Sequence, residues 1–310
     1  MDIKRIFEKD GKFILQVIFI IVAVFVGIKY LNAYYENDEK QKLIEMNQNS
    51  NDESIEVIEE NYAIESNSIE NTMRSFVNYC NNGEVSNAYQ MLTQECKNAM
   101  FPTEEYLKTT YIEKIYNIKR KYEMIRWSTN GNKTTYLVKL YEDLLATGGT
   151  KDNYTEDYYT FIQNDNGTYK ININKYIYGE PRNIEKTVNG LTIKIEYVDV
   201  YEQYEDVKIT IVNNSPKKIC LNGNKFIKKI YLQNTQGTQY SSINSKFDNE
   251  EVILRPNETQ TLWVEFNKVY SSTNKAQYLV FSDIIFDYED YLTDKNNYSN
   301  RTSLNIKYQN

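Results

Sequence analysis

The side chains that could support chemistry in this 310-residue chain are restricted, because it contains no histidine and only three cysteines. Histidine is the commonest metal ligand and the usual acid or base near neutral pH, so Ser-His and Cys-His mechanisms are disfavoured. Cys80, Cys96 and Cys220 are too few and too scattered for a zinc site or a disulfide scaffold, and we expect buried thiols. A bond between Cys80 and Cys96 stays open, because both lie on apolar faces of adjacent predicted helices. We therefore expect no catalytic group, metal or cofactor.

Five aromatic residues are candidates for lining a ligand chamber in the first half of the chain. Helix phase and strand alternation allow them to point inward. They are Tyr111, Trp127, Tyr136, Tyr158 and Phe161. The packing of an ordinary hydrophobic core explains the same pattern.

A second candidate site is a cluster of lysines in and beside a predicted turn. Its members are Lys217, Lys218, Lys225, Lys228 and Lys229. Such a cluster can face anionic wall polymers or lipid headgroups. A solvated rim of the domain is the alternative.

The net charge of −7 is mostly local. The segment 36–70 contains eleven acids and two lysines, a net of −9, so the rest of the chain sums to +2. That remainder lacks the concentrated basic face of a nucleic-acid-binding protein, and DNA or RNA partners are disfavoured. Residues 32–67 are polar and poor in aromatic residues, which predicts an acidic stalk.

One apolar run predicts where the protein resides. Phe13 to Ile28 carries no formal charge, and residues 13–31 approach the roughly 20 residues needed to cross a bilayer. Basic residues precede the run and acids follow it, which places residues 1–12 in the cytoplasm and the later domains outside the cell membrane. A cleavable signal peptide is the rival interpretation, but no A-x-A-like site closes the run.

After the stalk, helical periodicity beginning at Ile69 gives way to strand alternation beginning at Tyr122. This predicts three helices followed by a curved antiparallel sheet, with Asn130-Gly131 and Asn166-Gly167 as hairpin turns. The order, and the segment FVNYCNNGEVSNAYQMLTQECK from Phe76 to Lys97, resembles the nuclear transport factor 2-like superfamily. The resemblance implies an α+β cone over residues 68–180, able to hold a ligand. Some relatives are isomerases or dehydratases that use Asp, Tyr and His, but this chain has no His and no catalytic residue is carried over.

Gly179-Glu180-Pro181-Arg182 breaks the pattern and predicts a domain boundary. Short alternating strands follow over residues 187–287, which favours a β-sandwich. The strand VKITIVNNS from Val207 to Ser215 and LRPNETQTLWVEF from Leu254 to Phe266 resemble immunoglobulin-like extracellular domains of low-GC Gram-positive bacteria. The resemblance implies an adhesive or accessory module without an enzymatic site. Residues 288–310 form a polar C-terminal tail that either adds an edge strand or stays loose.

These features together predict a non-enzymatic, single-pass envelope protein that presents ligand- or partner-binding domains outside the membrane. We expect it to contact the bilayer through residues 13–31 and to bind protein partners or itself. A scaffold of a conjugation or type IV secretion apparatus is one alternative, because scaffolds of that kind combine a short cytoplasmic tail, one span and an outward cone domain. A cone-domain isomerase or lyase acting through Asp and Tyr is another.

Overall fold

The computed structural model describes residues 68–142, 154–223, 230–243, 245–271 and 273–308. The predicted cytoplasmic tail, span and stalk, residues 1–67, lie outside these ranges, as do Lys225, Lys228 and Lys229. Within the described ranges, no helix is both long enough and apolar enough to cross a membrane. The described chain is mostly β-sheet, and its longest helix stands at its start.

The helical elements precede the first strand. They are α1 (Ile69–Asn82), α2 (Val85–Met91), α3 (Gln94–Met100), α4 (Glu104–Leu107), a π-helical turn (Lys108–Ile112) and α5 (Glu113–Ile115). The Asn81-Asn82-Gly83 sequence predicts the end of the first helix, and α1 ends there with Gly83 in the left-handed conformation at φ 71°. The predicted second helix is instead two helices. The interruption has two causes. Leu92 leaves the helix and forms a β-bridge with Ile171, and the Thr93 side chain then caps α3 by accepting a hydrogen bond from the Cys96 amide.

The spacing of residues in the third predicted helix favours one buried stripe of Tyr106, Leu107, Thr110, Tyr111 and Ile115. This prediction is wrong for Tyr106, which lies before the π-helical turn and is 48% exposed. The wider turn at Lys108–Ile112 rotates the following residues relative to an α-helix, so Tyr111, Ile112 and Tyr116 become the buried set.

Four antiparallel strands follow in the order β1-β2-β3-β4. They are β1 (Arg120–Asn130), β2 (Lys133–Glu142), β3 (Tyr154–Gln163) and β4 (Tyr169–Asn172). Gly131 and Gly167 adopt positive φ at the two predicted hairpin turns. Residues 68–172, with these helices and this sheet, are called the helical lobe below.

The remaining strands form the β lobe, residues 176–308. They are β5 (Tyr176–Val188), β6 (Leu191–Tyr201), β7 (Glu205–Asn213), β8 (Ile219–Cys220), β9 (Ile230–Asn234), β10 (Gln239–Ile243), β11 (Ile253–Leu254), β12 (Thr259–Phe266), β13 (Ala276–Ile285) and β14 (Arg301–Lys307). Two short helices, α6 (Lys246–Asn249) and α7 (Tyr288–Thr293), lie between strands. The strands pair in the order β11-β8-β13-β9-β10-β12-β7-β6-β5, and β14 pairs with β13. The C-terminal segment therefore does add a strand.

β5 runs without interruption through Gly179 to Arg182, the segment at which a domain boundary was predicted. A register shift lies between Pro181 and Ile184, and Pro181 is tolerated because β5 is at the edge of its sheet. Tyr176, at the start of β5, is fully buried in the core of the helical lobe, whereas the rest of the strand pairs with β6. The two lobes are thus joined by one continuous strand.

Side chains also join the lobes. Tyr270 of the β lobe donates to Thr135 Oγ1 at 3.3 Å, and its ring packs on Tyr158 at 5.8 Å. Lys133 Nζ contacts Glu180 Oε2 at 2.6 Å. The expectation of buried thiols is confirmed: the three cysteines are buried and free, so Cys80 and Cys96 form no disulfide.

Candidate functional site

The interior of the helical lobe is filled by side chains. Tyr111, Tyr136 and Phe161, three of the five predicted lining residues, belong to its buried core cluster. Phe161 packs edge-on against Tyr136 at 5.7 Å, and Phe101 packs against Tyr111 at 5.8 Å. These residues make a packed core at the place where a ligand chamber was expected.

The other two predicted lining residues, Trp127 and Tyr158, lie on the opposite face of the sheet. Tyr158 is paired with Leu137, whereas its neighbour Tyr159 is paired with Tyr136 on the helix side. Trp127 lies in a β-bulge, which places it at 5.2 Å from the Tyr158 ring. Both residues pack towards the β lobe, so the five aromatic residues do not converge on one site.

Three tyrosine hydroxyls are buried together in the core of the helical lobe. Those of Tyr111 and Tyr159 are hydrogen-bonded to each other. The Tyr116 hydroxyl interacts electrostatically with Tyr159, but it is buried and makes no hydrogen bond to a described residue. Burial raises the pKa of all three phenols well above the ordinary value, so each stays protonated and none is a base near neutral pH.

Asp157 interacts electrostatically with all three phenols, and its oxygens accept hydrogen bonds from the backbone. Oδ1 accepts from the Tyr158 and Lys175 amides at 2.8 Å, and Oδ2 accepts from the Asn174 amide at 2.7 Å. Asn174 and Lys175 both have positive φ, so the carboxylate stabilises a strained turn. Burial raises the pKa of Asp157 to about 7, against the opposing effect of these hydrogen bonds. The geometry assigns Asp157 a structural role.

Two shallow clefts lie on the surface of the helical lobe. One, of about 410 Å³, lies between the end of α1 and the π-helical turn and is lined partly by Lys108, Glu113 and Tyr116. The other, of about 250 Å³, is lined by residues that include Tyr79 and Tyr169. Across the described ranges, no three Asp, Glu or Cys side chains lie close enough together to hold a metal ion.

The described part of the lysine cluster is paired with acids. Lys217 contacts Asp287, and Lys218 Nζ lies 2.7 Å from Glu289 Oε1. Both pairs are on the surface, where such contacts contribute at most about 1 kcal/mol. These two lysines therefore lie at the solvated rim of the domain, paired with acids at the start of α7.

A different surface brings functional groups together, and we call it the acidic aromatic face. It is the outer face of β6, β7 and β12, whose inner residues are buried. One row across these strands is Tyr197, Lys208 and Trp263, and the next row is Asp199, Asp206 and Glu265. Beyond the acids, Tyr201 stacks on Tyr204 with ring centroids 4.3 Å apart. A row of acids therefore lies between aromatic residues.

Trp263 is the prominent aromatic residue of this face. It is 49% exposed and lies at 6.4 Å from the Tyr197 ring. At the opposite edge, Tyr176 donates to Asp199 Oδ1 at 2.7 Å. A Cβ placed on Gly179 would lie within 2.6 Å of the Tyr197 hydroxyl, the Tyr176 hydroxyl and Asp199 Oδ1, so a larger residue there would displace these side-chain ends.

Electrostatic repulsion is built into the acid row. Burial, reinforced by Asp199 and Glu265, raises the pKa of Asp206 to about 6. The pKa of Asp199 is also raised, first by burial, and Glu95 of α3 contributes. Sequence reasoning missed this row, because its members become neighbours only through the pairing of β7 with both β6 and β12.

Comparisons with known proteins add little to this geometry. No family model matches the chain, and no curated protein matches it. One solved structure is similar to part of it, a conserved hypothetical protein from Bacillus anthracis with 15% sequence identity. The similar region covers 33% of this chain and 89% of that one, with a TM-score of 0.25, which is too low to carry an argument about fold or function.

Proposed function

We propose that this chain is a non-enzymatic, single-pass protein of the cell envelope that presents residues 68–308 to a protein partner outside the membrane. The apolar run at 13–31, with basic residues before it and acids after it, supports the anchor and its orientation. In the same proposal, the helical lobe is a nuclear transport factor 2-like domain and the β lobe is an immunoglobulin-like sandwich. The order of helices and strands supports the first assignment, and the alternating burial of β6 and β7 supports the second.

The observation that carries the proposal is the acidic aromatic face. Exposed aromatic residues are typical of partner-binding surfaces, because large rigid side chains bury area at low entropic cost. The acids beside them can select a partner by charge complementarity. The interior of the helical lobe favours binding over catalysis, since aromatic side chains occupy it and its phenols are held protonated. Detection of substrate turnover by the purified full-length chain would overturn this part of the proposal.

Location is tested by labelling a single exposed thiol in intact cells. The three native cysteines are buried, so Tyr106→Cys adds an accessible thiol at a position that is 48% exposed. We expect a membrane-impermeant maleimide to label this variant in intact cells and to leave the parent chain unlabelled. Labelling only after lysis would place the lobes inside the cell and refute the orientation.

Partner binding is tested by crosslinking in cells that express the full-length protein. Trp263→Ala and Tyr106→Ala form a matched pair, because the two parent side chains are 49% and 48% exposed on different lobes. We expect one crosslinked protein to be lost in the first variant and retained in the second. Identification of that protein as a DNA-transfer component would assign the chain to a conjugation apparatus, whereas identical crosslinks in both variants would refute the role of this face.

A further inference from the structure

We infer that the partner of the acidic aromatic face is a protein segment with at least two Lys or Arg side chains, with Arg preferred over Lys. This inference rests on the proposed function and specifies the chemistry of its partner. It starts from the outer face of β6, β7 and β12, on which Trp263 is 49% exposed. At the β6 end of this face, Asp199 accepts a hydrogen bond from Tyr176, and Tyr201 packs against the core of the helical lobe.

Charge complementarity selects a cationic occupant. Asp206 is paired directly with Asp199 on one side and with Glu265 on the other. Like charges directly opposite each other in a sheet are destabilising. Within the described ranges, no lysine or arginine forms a salt bridge with any of the three. Lys208, the nearest cation in the adjacent row, is already engaged by Glu196 Oε2 at 3.3 Å.

The spacing of the acids favours side chains over a bound metal ion. Neighbouring strands lie about 4.8 Å apart, so the outer acids, Asp199 and Glu265, are separated by roughly 10 Å at the backbone. Calcium binds oxygen atoms at about 2.3–2.6 Å, and one ion cannot contact both ends of such a row. Two cationic side chains of one segment can contact the row at separate points.

The aromatic borders favour arginine. Guanidinium groups stack on aromatic faces and pair with carboxylates in the same plane, whereas the lysine ammonium is a strongly hydrated point charge. Trp263 with Tyr197 borders the acids on one side, and the Tyr201 and Tyr204 stack borders them on the other. Tyr201 is itself packed against buried Tyr176 at 5.2 Å, so the exposed Trp263 is the ring that an arginine on the acid row can contact.

The inference is tested with purified full-length protein in detergent and three fluorescent 12-residue peptides. The peptides share one spacing and carry Arg, Lys or Glu at four positions, and anisotropy measures their binding. We expect the Arg peptide to bind more tightly than the Lys peptide, and the Glu peptide not to bind. Neutralising the acids in D199N/D206N/E265Q should weaken Arg-peptide binding at least tenfold. Trp263→Ala should remove most of the preference for Arg over Lys.

The matched control is E104Q/E105Q/E113Q, which removes three exposed acids from one segment of the helical lobe. An equal loss of binding in this variant would mean that only net charge matters and would overturn the inference. Displacement of the peptide by millimolar calcium would overturn the inference in favour of a bound ion. Self-association that depends on Trp263 would overturn it in favour of a second copy of the chain. If Trp263 crosslinks a partner in cells while no Arg peptide binds, this inference fails and the proposed function stands.

Discussion

Removing the cation of a buried ion pair should cost the β lobe several kcal/mol. Lys268 and Glu205 have side chains that are only 3% and 7% exposed, and Lys268 Nζ lies 2.8 Å from Glu205 Oε1. The second carboxylate oxygen, Oε2, accepts from the Tyr308 hydroxyl at 2.8 Å. Lys268→Met leaves this carboxylate buried without a cation, and we expect the free energy of unfolding to fall by about 3–5 kcal/mol.

The loss should be largely reversible by removing the other polar partners. Lys268→Met with Glu205→Leu should recover all but about 1–3 kcal/mol, the cost of leaving the Tyr308 hydroxyl without its acceptor. Adding Tyr308→Phe should recover most of the remainder. Urea titration of the full-length protein, followed by the fluorescence of its two tryptophans, buried Trp127 and half-exposed Trp263, measures each step.

A surface pair supplies the control for this series. Lys246 and Glu250 are 41% and 58% exposed and lie 3.7 Å apart, so Lys246→Met should change stability by less than about 0.5 kcal/mol. A loss below about 1 kcal/mol for Lys268→Met would mean that water reaches Glu205. A double variant no more stable than the single one would also refute the reasoning, because the loss would then not come from a stranded charge.

Three further predictions follow from single contacts. Gly179→Ala should lower the unfolding temperature, because its Cβ would clash with the Tyr176 hydroxyl and with Asp199. The control Glu185→Ala, at an exposed position of the same strand, should not lower it. Equal effects of the two substitutions would contradict the close approach at Gly179. Asp206 has a pKa raised to about 6 in the folded protein. Below about pH 4 the carboxyl is protonated and the fold keeps its full stability, and as the pH rises through about 6 the carboxyl ionises and that stability is lost. Asp206→Asn should therefore match the parent chain at pH 4 and exceed its unfolding temperature at pH 8, and a gap independent of pH would rule this out. A thiol reagent at pH 8 should label no cysteine until the protein is unfolded, because the three thiols are buried and burial raises the pKa of Cys96 to about 12. Rapid labelling of the native protein would contradict this burial.

Much of the fold could be predicted from the sequence where one face of an element is buried. The alternation in β7 matches its buried and half-buried pattern residue by residue, and that in β6 matches up to a register shift at Glu196 and Tyr197. Helix α1 was equally clear, because its apolar residues share one face and Gly83 ends it. Periodicity succeeds in these elements because burial of one face is a local property of the sequence.

The errors lie where tertiary structure overrides local pattern. Tyr158 and Phe161 lie three residues apart in β3, so strand alternation puts them on opposite faces, and the prediction that both line one chamber was wrong for Tyr158. The bulge at Trp127 and the π-helical turn each change the phase, and neither has a local sequence signal. Pro181 suggested a break because the edge position of β5, which tolerates proline, depends on the whole sheet.

The candidate site was hidden from the sequence for a related reason. Asp199 and Asp206 are close along the chain, but Glu265 joins them only through the register of β12 on β7. Trp263 reads as an ordinary strand residue until the opposite face of its strand is seen to be buried. A row that spans three strands is a property of pairing, and pairing between distant strands is not encoded in local periodicity.

The central claim, that this face binds a protein partner outside the membrane, is tested most directly by a photoreactive phenylalanine analogue in place of Trp263. The full-length variant is irradiated in intact cells beside a matched variant with the same analogue at Tyr106, since the two positions are 49% and 48% exposed. We predict a discrete higher-mass adduct from position 263 and none from position 106. The absence of an adduct at 263, or the same adduct from both positions, would contradict the account.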